Sequence, residues 1–269
     1  MIIDGKAIAQ SVLDAVKIQV TAMPHTPRLA VFTCVPNFET KKFLALKQKR
    51  AAEVGIALQL IEFGEEVTVP EIIMSIQLAH QAAHGIIVQL PFPARIDMTE
   101  ILPVIRPTHD VDMLTYDGSL TGPLPPVVGA IDEIARLHKI DFKNKQVVVV
   151  GRGQLVGLPS ILYARARGAE VTVVDKNTLD VASVTNQADI LILGAGVPGL
   201  IEANMVKPGV VVFDAGTSEA GGMLVGDAAA DVTEKASLLT PVPGGIGPIT
   251  IAVLLRNLVL LAEAQHRVQ

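Results

Sequence analysis

The feature that most constrains the fold of this chain is a run of four valines followed at once by glycines, in residues 145–159 (KQVVVVGRGQLVGLP). The β-branched run Val147–Val150 predicts a strand that is buried on both faces, as in a parallel sheet covered by helices. Gly151, Gly153 and Gly157 come next, and an apolar helical stretch follows them. A strand, a glycine-rich turn and a helix in this order are typical of the phosphate-binding unit of a dinucleotide fold, because glycines let the backbone approach a pyrophosphate.

The glycine spacing alone leaves two interpretations open. It reads GxGxxxG, one residue longer than the usual GxGxxG fingerprint, and a tight structural turn would also explain it. The surroundings favour a cofactor. Residues 169–175 (AEVTVVD) predict the next strand, which ends in Asp175, and an acid there can accept hydrogen bonds from the adenosine ribose. Two further buried strands end in Gly194 and Gly216, at the sheet edge where a cofactor is expected.

Composition favours a soluble α/β protein. The 269 residues are half hydrophobic and carry a net charge of −5, so the chain is long enough for two domains and lacks the basic charge expected of a nucleic-acid binder. Cys34 is the single cysteine, which excludes an internal disulfide and indicates a reducing compartment. Asp4 and Lys6 interrupt the start, and Arg256 interrupts the most apolar later stretch. We therefore expect a cytoplasmic protein with no membrane partner.

Hydrophobic periodicity predicts alternating helices and strands along the chain. The predicted helices cover residues 8–20, 39–53, 71–81, 130–138, 160–168, 178–186 and 251–265. The predicted strands cover residues 29–34, 56–63, 85–93, 147–150, 169–175, 189–196 and 210–216. Alternation of this kind favours parallel sheets. Residues 118–128 and 240–250 are rich in proline and glycine, and we interpret the first of these loops as a domain junction.

These patterns predict an α/β protein of two domains with a cleft between them. An N-terminal α/β substrate domain comprises residues 1–124 and, through a C-terminal helix that packs back on it, residues 249–269. A Rossmann-type parallel-sheet domain for dinucleotide binding comprises residues 125–248.

Three polar side chains in the first half have apolar neighbours. They are Lys47 on the helix after the first strand, Gln89 at the end of a buried strand, and Asp112 in the segment THDVDML. Phe43 and Thr40 precede Lys47 at helical spacing, so the three share a face. Structural interpretations stay open for each residue. Lys47 belongs to a basic run that is typical of a solvated helix face, Gln89 can satisfy strand-end backbone groups, and Asp112 with the acid two residues before it can cap a turn.

The same segments carry a resemblance to a known family. The matching pieces, in order along nearly the whole chain, are IIDGKAIA, GIIVQLPFP, HDVD, VVVVGRGQLVGLP, DILILGAGVPG, VVFDAG, VGD and TPVPGGIGPIT. With them the chain resembles the bifunctional methylenetetrahydrofolate dehydrogenase/cyclohydrolase family. The resemblance implies two reactions. 5,10-Methylenetetrahydrofolate is oxidised to the methenyl form with transfer of a hydride to a nicotinamide, and water then opens the methenyl ring to give 10-formyltetrahydrofolate.

The resemblance implies a role for each candidate side chain. Lys47 would be the catalytic lysine, Gln89 would hold and tune it, and Asp112 would hydrogen-bond the pterin ring. The chemistry suits these residue types, because hydride loss needs positioning more than a base, whereas hydration needs proton transfer that a partly desolvated lysine can provide. The residues implied to bind the folate around them are Phe43, Pro243, Gly244 and Gly245.

The cofactor implied by the resemblance is NADP, since Arg152 stands where the family often contacts the adenosine phosphate. Asp175 argues for NAD, because an acid aimed at the ribose would repel a 2′-phosphate. The expected cofactor-binding residues are Gly151, Arg152, Gly153, Val156, Gly157, Asp175, Gly194 and Gly216. The family also implies a homodimer that binds tetrahydrofolate derivatives, and neither the residues nor the resemblance indicates a metal.

The chain departs from the family pattern at four places. Phe43 replaces a tyrosine, so a ring that can stack on the folate remains while its hydroxyl is gone. Met113 replaces the glycine after the DVD triplet, residues 126–130 (PVVGA) replace a Cys-Thr-Pro-x-Gly segment, and Gly153 replaces a serine of the glycine turn. We expect the dehydrogenase activity to survive, and the hydrolytic step stays open. Two rival interpretations remain: a non-catalytic or dehydrogenase-only homologue that binds folate or dinucleotide, and a two-domain dehydrogenase of an amino or hydroxy acid.

Overall fold

The computed structural model describes residues 1–220 and 223–268. The chain divides into two compact units. The first, called here the lysine unit, consists of Gln10–Thr115 and the segment from Ile251 onward. The second, called the glycine-turn unit, consists of Met1–Ala9 and Tyr116–Thr250.

Helices and strands alternate through most of the described chain. The α-helices are α1 (Gly5–Ala22), α2 (Phe38–Glu53), α3 (Val69–Ala82), α4 (Met98–Ile101), α5 (Pro126–His138), α6 (Gly157–Ala166), α7 (Val181–Thr185) and α8 (Ile246–Val268). The strands are β1 (Arg28–Cys34), β2 (Ala57–Phe63), β3 (Gly85–Val88), β4 (Gln146–Val150), β5 (Glu170–Val174), β6 (Ile190–Leu193), β7 (Val211–Asp214), β8 (Ser218–Ala220), β9 (Met223–Val225) and β10 (Leu238–Leu239). Short 3₁₀ helices lie at Leu102–Val104, Pro107–His109, Ala203–Met205 and Ala230–Glu234.

The lysine unit is built on a three-stranded parallel sheet with the order β2-β1-β3. Alternate residues of β1 and β3, among them Phe32 and Ile86, point into one buried cluster together with Ile72 and Ile76 of α3. Only the first residue of β1 is exposed, as expected for the central strand of a sheet covered by helices. The parallel pairing predicted from the alternation of elements is confirmed.

The ends of α2 and β3 set up the site described below. Helix α2 begins where the Asn37 side chain accepts a hydrogen bond from the Thr40 backbone N–H at 2.8 Å, which is a typical N-cap. Strand β3 ends at Val88, so the prediction that it continues to residue 93 is wrong. Gln89 still donates its backbone N–H to the Phe32 carbonyl at 2.8 Å. The prolines at 91 and 93 have no N–H, and the ladder therefore stops.

The glycine-turn unit contains a five-stranded parallel sheet with the order β10-β7-β6-β4-β5. The chain passes from β4 to β5 on one side and then crosses to β6 on the other side of β4. In open parallel sheets, ligands bind at the carboxyl edge next to such a reversal. Val147–Val150 in β4 and Ile190–Leu193 in β6 are all buried. The predicted Rossmann-type arrangement and its buried valine run are confirmed.

Several helix boundaries differ from the predictions because proline and glycine were interpreted as loop residues. Helix α5 begins at Pro126 rather than residue 130, since proline fits the first helical position, where its missing N–H is not needed. Helix α6 begins at Gly157 rather than residue 160. Helix α8 begins at Ile246, so the predicted loop at 240–250 ends at Gly245. Helix α7 is limited to Val181–Thr185 for a different reason, since Asp180 is its N-cap and accepts the Ser183 backbone N–H at 3.0 Å.

Helix α8 is a core helix of the fold. It is long and apolar enough over Ile246–Arg267 to pass a length-and-composition test for a membrane span, but 61% of the apolar window is buried inside the fold. Near its end, the Gln265 side-chain amide donates hydrogen bonds to the carbonyls of His84 at 2.8 Å and Thr108 at 2.7 Å. The prediction that the C-terminal helix packs back on the first part of the chain is confirmed.

Candidate active site

The buried amino group of Lys47 is the centre of the candidate site in the lysine unit. Lys47 is 8% exposed, and its Nζ donates a hydrogen bond to Oε1 of Gln89 at 2.6 Å. Burial lowers the pKa of Lys47 below its ordinary value, while the negative charge of Asp112 opposes that shift. The interpretation of Lys47 as part of a solvated helix face is therefore wrong. A desolvated amine of this kind gives up its proton more readily than a lysine in water.

Gln89 is held at both ends of its amide. It is the first residue after β3, where its backbone N–H bonds to the Phe32 carbonyl, and its Nε2 donates to the Leu90 carbonyl at 3.0 Å. These contacts direct Oε1, the acceptor, at the ammonium group of Lys47. A side chain fixed in this way loses little further freedom when it orients the lysine, which is how a preorganised site is supported.

Asp112 lies on a turn that its neighbour Asp110 builds. Asp110 forms an isolated parallel bridge with Ile86 of β3, and its carboxylate accepts hydrogen bonds from the backbone N–H groups of Asp112 at 3.1 Å and Leu114 at 2.6 Å. Asp110 is thus the turn-capping acid. Asp112 is partly buried, so desolvation raises its pKa while Lys47 lowers it. The structure brings Gln89 into contact with Lys47, and Asp112 acts on the same lysine electrostatically.

The turn that carries Asp112 has an unusual backbone at the next residue. Met113 has φ +54°, a left-handed conformation that costs a residue with a side chain roughly 1–2 kcal/mol. The family pattern has glycine here, which adopts this conformation without strain. The turn after Asp112 therefore carries backbone strain at Met113 that a glycine would not carry.

Phe43 and Thr40 lie on the Lys47 side of α2, as the helical spacing predicted. Thr40 is buried at 6% exposure and Phe43 is partly buried. The phenyl ring carries no hydrogen-bonding group, so it can contribute only apolar or stacking contacts. Within residues 1–220 and 223–268, no group of three or more histidine, cysteine, aspartate or glutamate side chains could hold a metal ion.

The glycine turn after β4 is packed backbone against backbone. Gly151 has φ +96°, and a Cβ on it would lie 2.9 Å from the Ala195 nitrogen. A Cβ on Gly157 would lie 2.8 Å from the Arg152 Cα. Gly153 is different, because a Cβ there would meet no atom within 4 Å. Packing explains Gly151 and Gly157, whereas the open space at Gly153 fits a turn that leaves room for a ligand.

The other expected cofactor residues surround the same edge of the sheet. A Cβ added to Gly194 would lie 3.0 Å from the Cβ of Val156, so the Val156 side chain leaves no room for a larger residue at this position. Arg152 is exposed. Asp175 follows β5 and accepts a hydrogen bond from the Asn177 backbone N–H at 2.8 Å, so its carboxylate caps a turn. Gly216 follows β7 and donates its N–H to the Asp214 carboxylate at 2.9 Å.

The proline-rich segment before α8 forms a tight turn in the glycine-turn unit. The Gly245 N–H donates to the Pro241 carbonyl at 2.7 Å, and the Gly5 N–H donates to the Gly244 carbonyl at 2.9 Å. Gly244 has φ +105°, which requires glycine. Pro243 is exposed. These three expected substrate residues therefore lie in a different unit from Lys47, Gln89 and Asp112.

Two family models match the chain. The tetrahydrofolate dehydrogenase/cyclohydrolase catalytic domain matches residues 3–112, and the NAD(P)-binding domain of the same family matches residues 125–266. The chain belongs to this family. The resemblance inferred from the sequence motifs is confirmed.

Relatives of this tetrahydrofolate dehydrogenase/cyclohydrolase chain match it almost end to end. The bifunctional protein FolD of Exiguobacterium sibiricum is 37% identical over 275 residues, which cover 98% of this chain and 99% of the relative. The crystal structure of FolD methylenetetrahydrofolate dehydrogenase/cyclohydrolase from Campylobacter jejuni has a TM-score of 0.93 at 33% identity, covering 98% and 99% of the two chains. The Trypanosoma brucei FolD, solved with NADP cofactor and an inhibitor, has a TM-score of 0.92 at 31% identity, covering 99% and 98%.

Two buried acids of this family member were not identified from the sequence. Asp227 and Asp214 are 0% and 3% exposed, and both accept hydrogen bonds from backbone N–H groups of the loops at the carboxyl edge of the sheet. The available signal was the position of each acid in VVFDAG and VGD, where a charged residue adjoins an apolar strand or glycine. A buried carboxylate needs several donors, so such an acid predicts a built loop.

Proposed function

We propose that this chain oxidises 5,10-methylenetetrahydrofolate to 5,10-methenyltetrahydrofolate with NADP and hydrolyses the product to 10-formyltetrahydrofolate, in one-carbon metabolism. The observation that carries the proposal is the 2.6 Å hydrogen bond between the buried Lys47 ammonium and Gln89, in a chain that belongs to the dehydrogenase/cyclohydrolase family. A buried, oriented lysine has no structural purpose that a smaller apolar residue would not serve better, because desolvating its charge is costly.

Lys47 carries the proton transfer of the hydrolytic step. Water must lose a proton as it adds to the methenyl carbon, and the ring nitrogen that leaves that carbon must regain one. A lysine whose pKa is lowered by burial gives up its proton more readily than a lysine in water, which suits it to this proton transfer. Gln89 fixes the direction of Nζ, and Asp112 limits how far the pKa of Lys47 falls and hydrogen-bonds the pterin ring.

The glycine turn holds the dinucleotide, which supplies the hydride acceptor when it is bound. Gly151 and Gly157 would shape the turn through close backbone packing, the open space at Gly153 would admit the pyrophosphate, and the N-terminus of α6, which begins at Gly157, would favour its charge. Oxidation of the methylene group needs orientation more than acid or base catalysis. Phe43 is assigned to stacking on the folate ring system, and Pro243, Gly244 and Gly245 are further proposed substrate-binding residues.

NADP is the proposed cofactor, with NAD as the alternative set by Asp175. The Trypanosoma brucei relative was solved with NADP, and the exposed Arg152 offers a charge for a 2′-phosphate. One oxygen of Asp175 accepts the turn hydrogen bond from Asn177, and the negative charge of the carboxylate would repel a 2′-phosphate placed beside it. We expect Asp175→Ser to raise the ratio of kcat/KM for NADP to that for NAD. An unchanged ratio would mean that Asp175 does not face the adenosine end.

A direct assay tests the proposal. Purified protein is mixed with 5,10-methylenetetrahydrofolate and NADP, and reduced cofactor is followed by absorbance; hydrolysis is followed separately with 5,10-methenyltetrahydrofolate and no dinucleotide. Lys47→Met is expected to abolish hydrolysis, while Lys49→Met, an exposed lysine two residues along the same helix, is expected to keep both activities. Absence of both activities in the unaltered protein would refute the proposal.

A dehydrogenase-only homologue is the second candidate, and Phe43 is the observation that favours it. The ring keeps its stacking surface but lacks the hydroxyl of the family tyrosine. If this candidate is correct, the unaltered protein reduces NADP but hydrolyses methenyltetrahydrofolate only after Phe43→Tyr. Full hydrolysis by the unaltered protein would eliminate it.

Location and assembly complete the proposal. We propose a cytoplasmic homodimer that binds tetrahydrofolate derivatives and no nucleic acid. The buried, free thiol of Cys34 suits a reducing compartment, and the net charge of −5 opposes binding to a polyanion. Light scattering after size-exclusion chromatography tests the assembly, with a dimer expected at twice the chain mass of 28.4 kDa.

A further inference from the structure

Three consecutive backbone N–H groups after β6 converge on one carboxylate. The N–H groups of Ala195 and Gly196 donate to Oδ2 of Asp227 at 2.7 and 3.1 Å, and the N–H of Val197 donates to Oδ1 at 2.8 Å. Successive N–H groups that point inward form a concave anion-binding site, of the kind that holds phosphate in many proteins. Here a side chain of the chain itself fills that concavity.

Asp227 is itself fixed by a second buried acid. Its backbone N–H and that of Ala228 donate to the Asp214 carboxylate at 3.2 and 2.9 Å. Asp214 in turn receives the Gly216 N–H at 2.9 Å, and its backbone N–H donates to the Thr240 hydroxyl at 2.7 Å. The two acids therefore tie the loop after β6, through the segment that follows β9, to the end of β7. Asp227 is 0% exposed.

The loop held by Asp227 adjoins the glycine turn. Gly194, the residue before the three donors, bonds through its N–H to the Val150 carbonyl at 2.9 Å. The backbone of Gly194 and Ala195 also lies so close to Gly151 that a side chain at Gly151 would collide with both. Residues 195–197 are therefore joined, through this bond and this packing, to the turn after β4, which is where the proposed dinucleotide binds.

We propose that Asp227 is a positioning residue for the dinucleotide. Its carboxylate shapes the loop at residues 195–197 against the glycine turn and occupies a backbone anion site that would otherwise compete for a cofactor phosphate. The inference rests on the proposed function and deepens it by assigning a residue outside the expected cofactor set. Asp227 acts through the backbone it holds, and therefore affects the dinucleotide step while leaving the folate hydrolysis at Lys47 unaffected.

The first test compares Asp227→Asn with Asp189→Asn. Asparagine keeps the size of the side chain but turns an NH₂ group toward N–H donors, so the loop loses at least one bond. We expect the KM for NADP in the dehydrogenase reaction to rise at least about tenfold, with methenyl hydrolysis, measured without dinucleotide, within about twofold of the unaltered protein. Asp189, which immediately precedes β6, accepts the N–H of Gln146, the first residue of β4, at 2.9 Å. This bond lies at the amino edge of the same sheet, and the Asp189 variant is expected to leave both activities unchanged.

The second test is chemical rescue of Asp227→Ala. Formate supplies the deleted carboxylate, so adding it is expected to lower the raised KM for NADP, whereas chloride at the same ionic strength is not. A KM for NADP that stays unchanged in both variants overturns the inference. Equal losses of dehydrogenase and hydrolase activity would mean that Asp227 merely maintains the fold, and a rescue no better than with chloride would mean that the carboxylate is not the group that matters; either result overturns it as well.

Failure of the proposed function is distinguishable from failure of this inference. If the unaltered protein turned over neither folate, the proposed function would be refuted. The affinity of the unaltered and Asp227 variants for NADPH, measured by fluorescence titration, would still test the inference. A tenfold weaker affinity in Asp227→Ala that formate restores would support it without any turnover.

Discussion

Replacing Gln89 by methionine tests the idea that the amide tunes the lysine. Methionine keeps the length of the side chain and removes the oxygen that lies 2.6 Å from Nζ of Lys47. That oxygen stabilises the charged ammonium and not the neutral amine, so its loss lowers the pKa of Lys47 beyond the shift that burial already produces.

The size of the shift follows from the bond that is lost. A hydrogen bond to a charged group contributes about 1.5–3 kcal/mol, and about 1.36 kcal/mol corresponds to one pKa unit. The variant should therefore lower the pKa of Lys47 by roughly 1–2 units. Gln89→Glu should move it the opposite way, because an ionised carboxylate in the same place favours the ammonium more strongly than an amide does.

The assay is the pH profile of methenyl hydrolysis, corrected for the uncatalysed reaction. The limb that reports deprotonation of Lys47 should move to lower pH in Gln89→Met and to higher pH in Gln89→Glu. Gln59→Met, at an exposed position of β2, is the control and should leave the profile in place. A limb that stays at the same pH in both Gln89 variants would refute the reasoning, since the amide would then position Lys47 without tuning it.

Three further predictions concern the backbone turns and a buried acid. Met113→Gly should raise the free energy of unfolding by about 0.5–1 kcal/mol in urea titrations, since relief of the left-handed strain exceeds the entropy lost by glycine. A lower free energy of unfolding would show that the methionine side chain stabilises the fold by more than the strain destabilises it. Gly157→Ala should raise the Kd for NADPH by at least about tenfold, because its Cβ would lie 2.8 Å from the backbone at Arg152, whereas the control Gly64→Ala, in the lysine unit, meets no atom within 4 Å and should bind normally. Burial raises the pKa of Asp214 to about 6, so the folded state binds that proton more tightly than the unfolded state does. The free energy of unfolding should therefore fall by up to about 3 kcal/mol as the pH rises from about 4 to about 6. Asp214→Asn should flatten this dependence in urea titrations at several pH values, and an unaltered slope would contradict the assignment.

The sheets were predictable because they depend on local composition. Four consecutive valines place apolar side chains on both faces of a strand, which favours a strand covered on both sides, and β4 is that strand. Helix starts were harder, because Pro126 and the glycines near Ile246 occur both in loops and in the first turn of a helix. Only the packing of the surrounding chain decides between these two uses.

The candidate site was predictable in its members but not in its contacts. Helical spacing places Phe43 and Lys47 on one face, yet it cannot bring Gln89, which is 42 residues away, to Nζ. The resemblance supplied that pairing. Nothing in the local sequence indicated that Asp227 receives three backbone N–H groups from a loop 30 residues earlier, because such contacts arise from the strand order of the sheet.

The hydrogen bond between the Gln89 backbone and Phe32 has a consequence for how this chemistry can vary. Side chains alternate sides along a strand, and Phe32 pairs with Val88 in the ladder, so a slip of β3 by one residue would present a valine or a leucine to the amine in place of the amide. The register between β1 and β3 thus determines which side chain faces the amine of Lys47. Insertions in the loops between β1 and β3 are tolerable. A single residue added inside either strand would instead remove the Gln89 amide from Lys47 and so abolish proton transfer, although helix α2 itself would be unchanged.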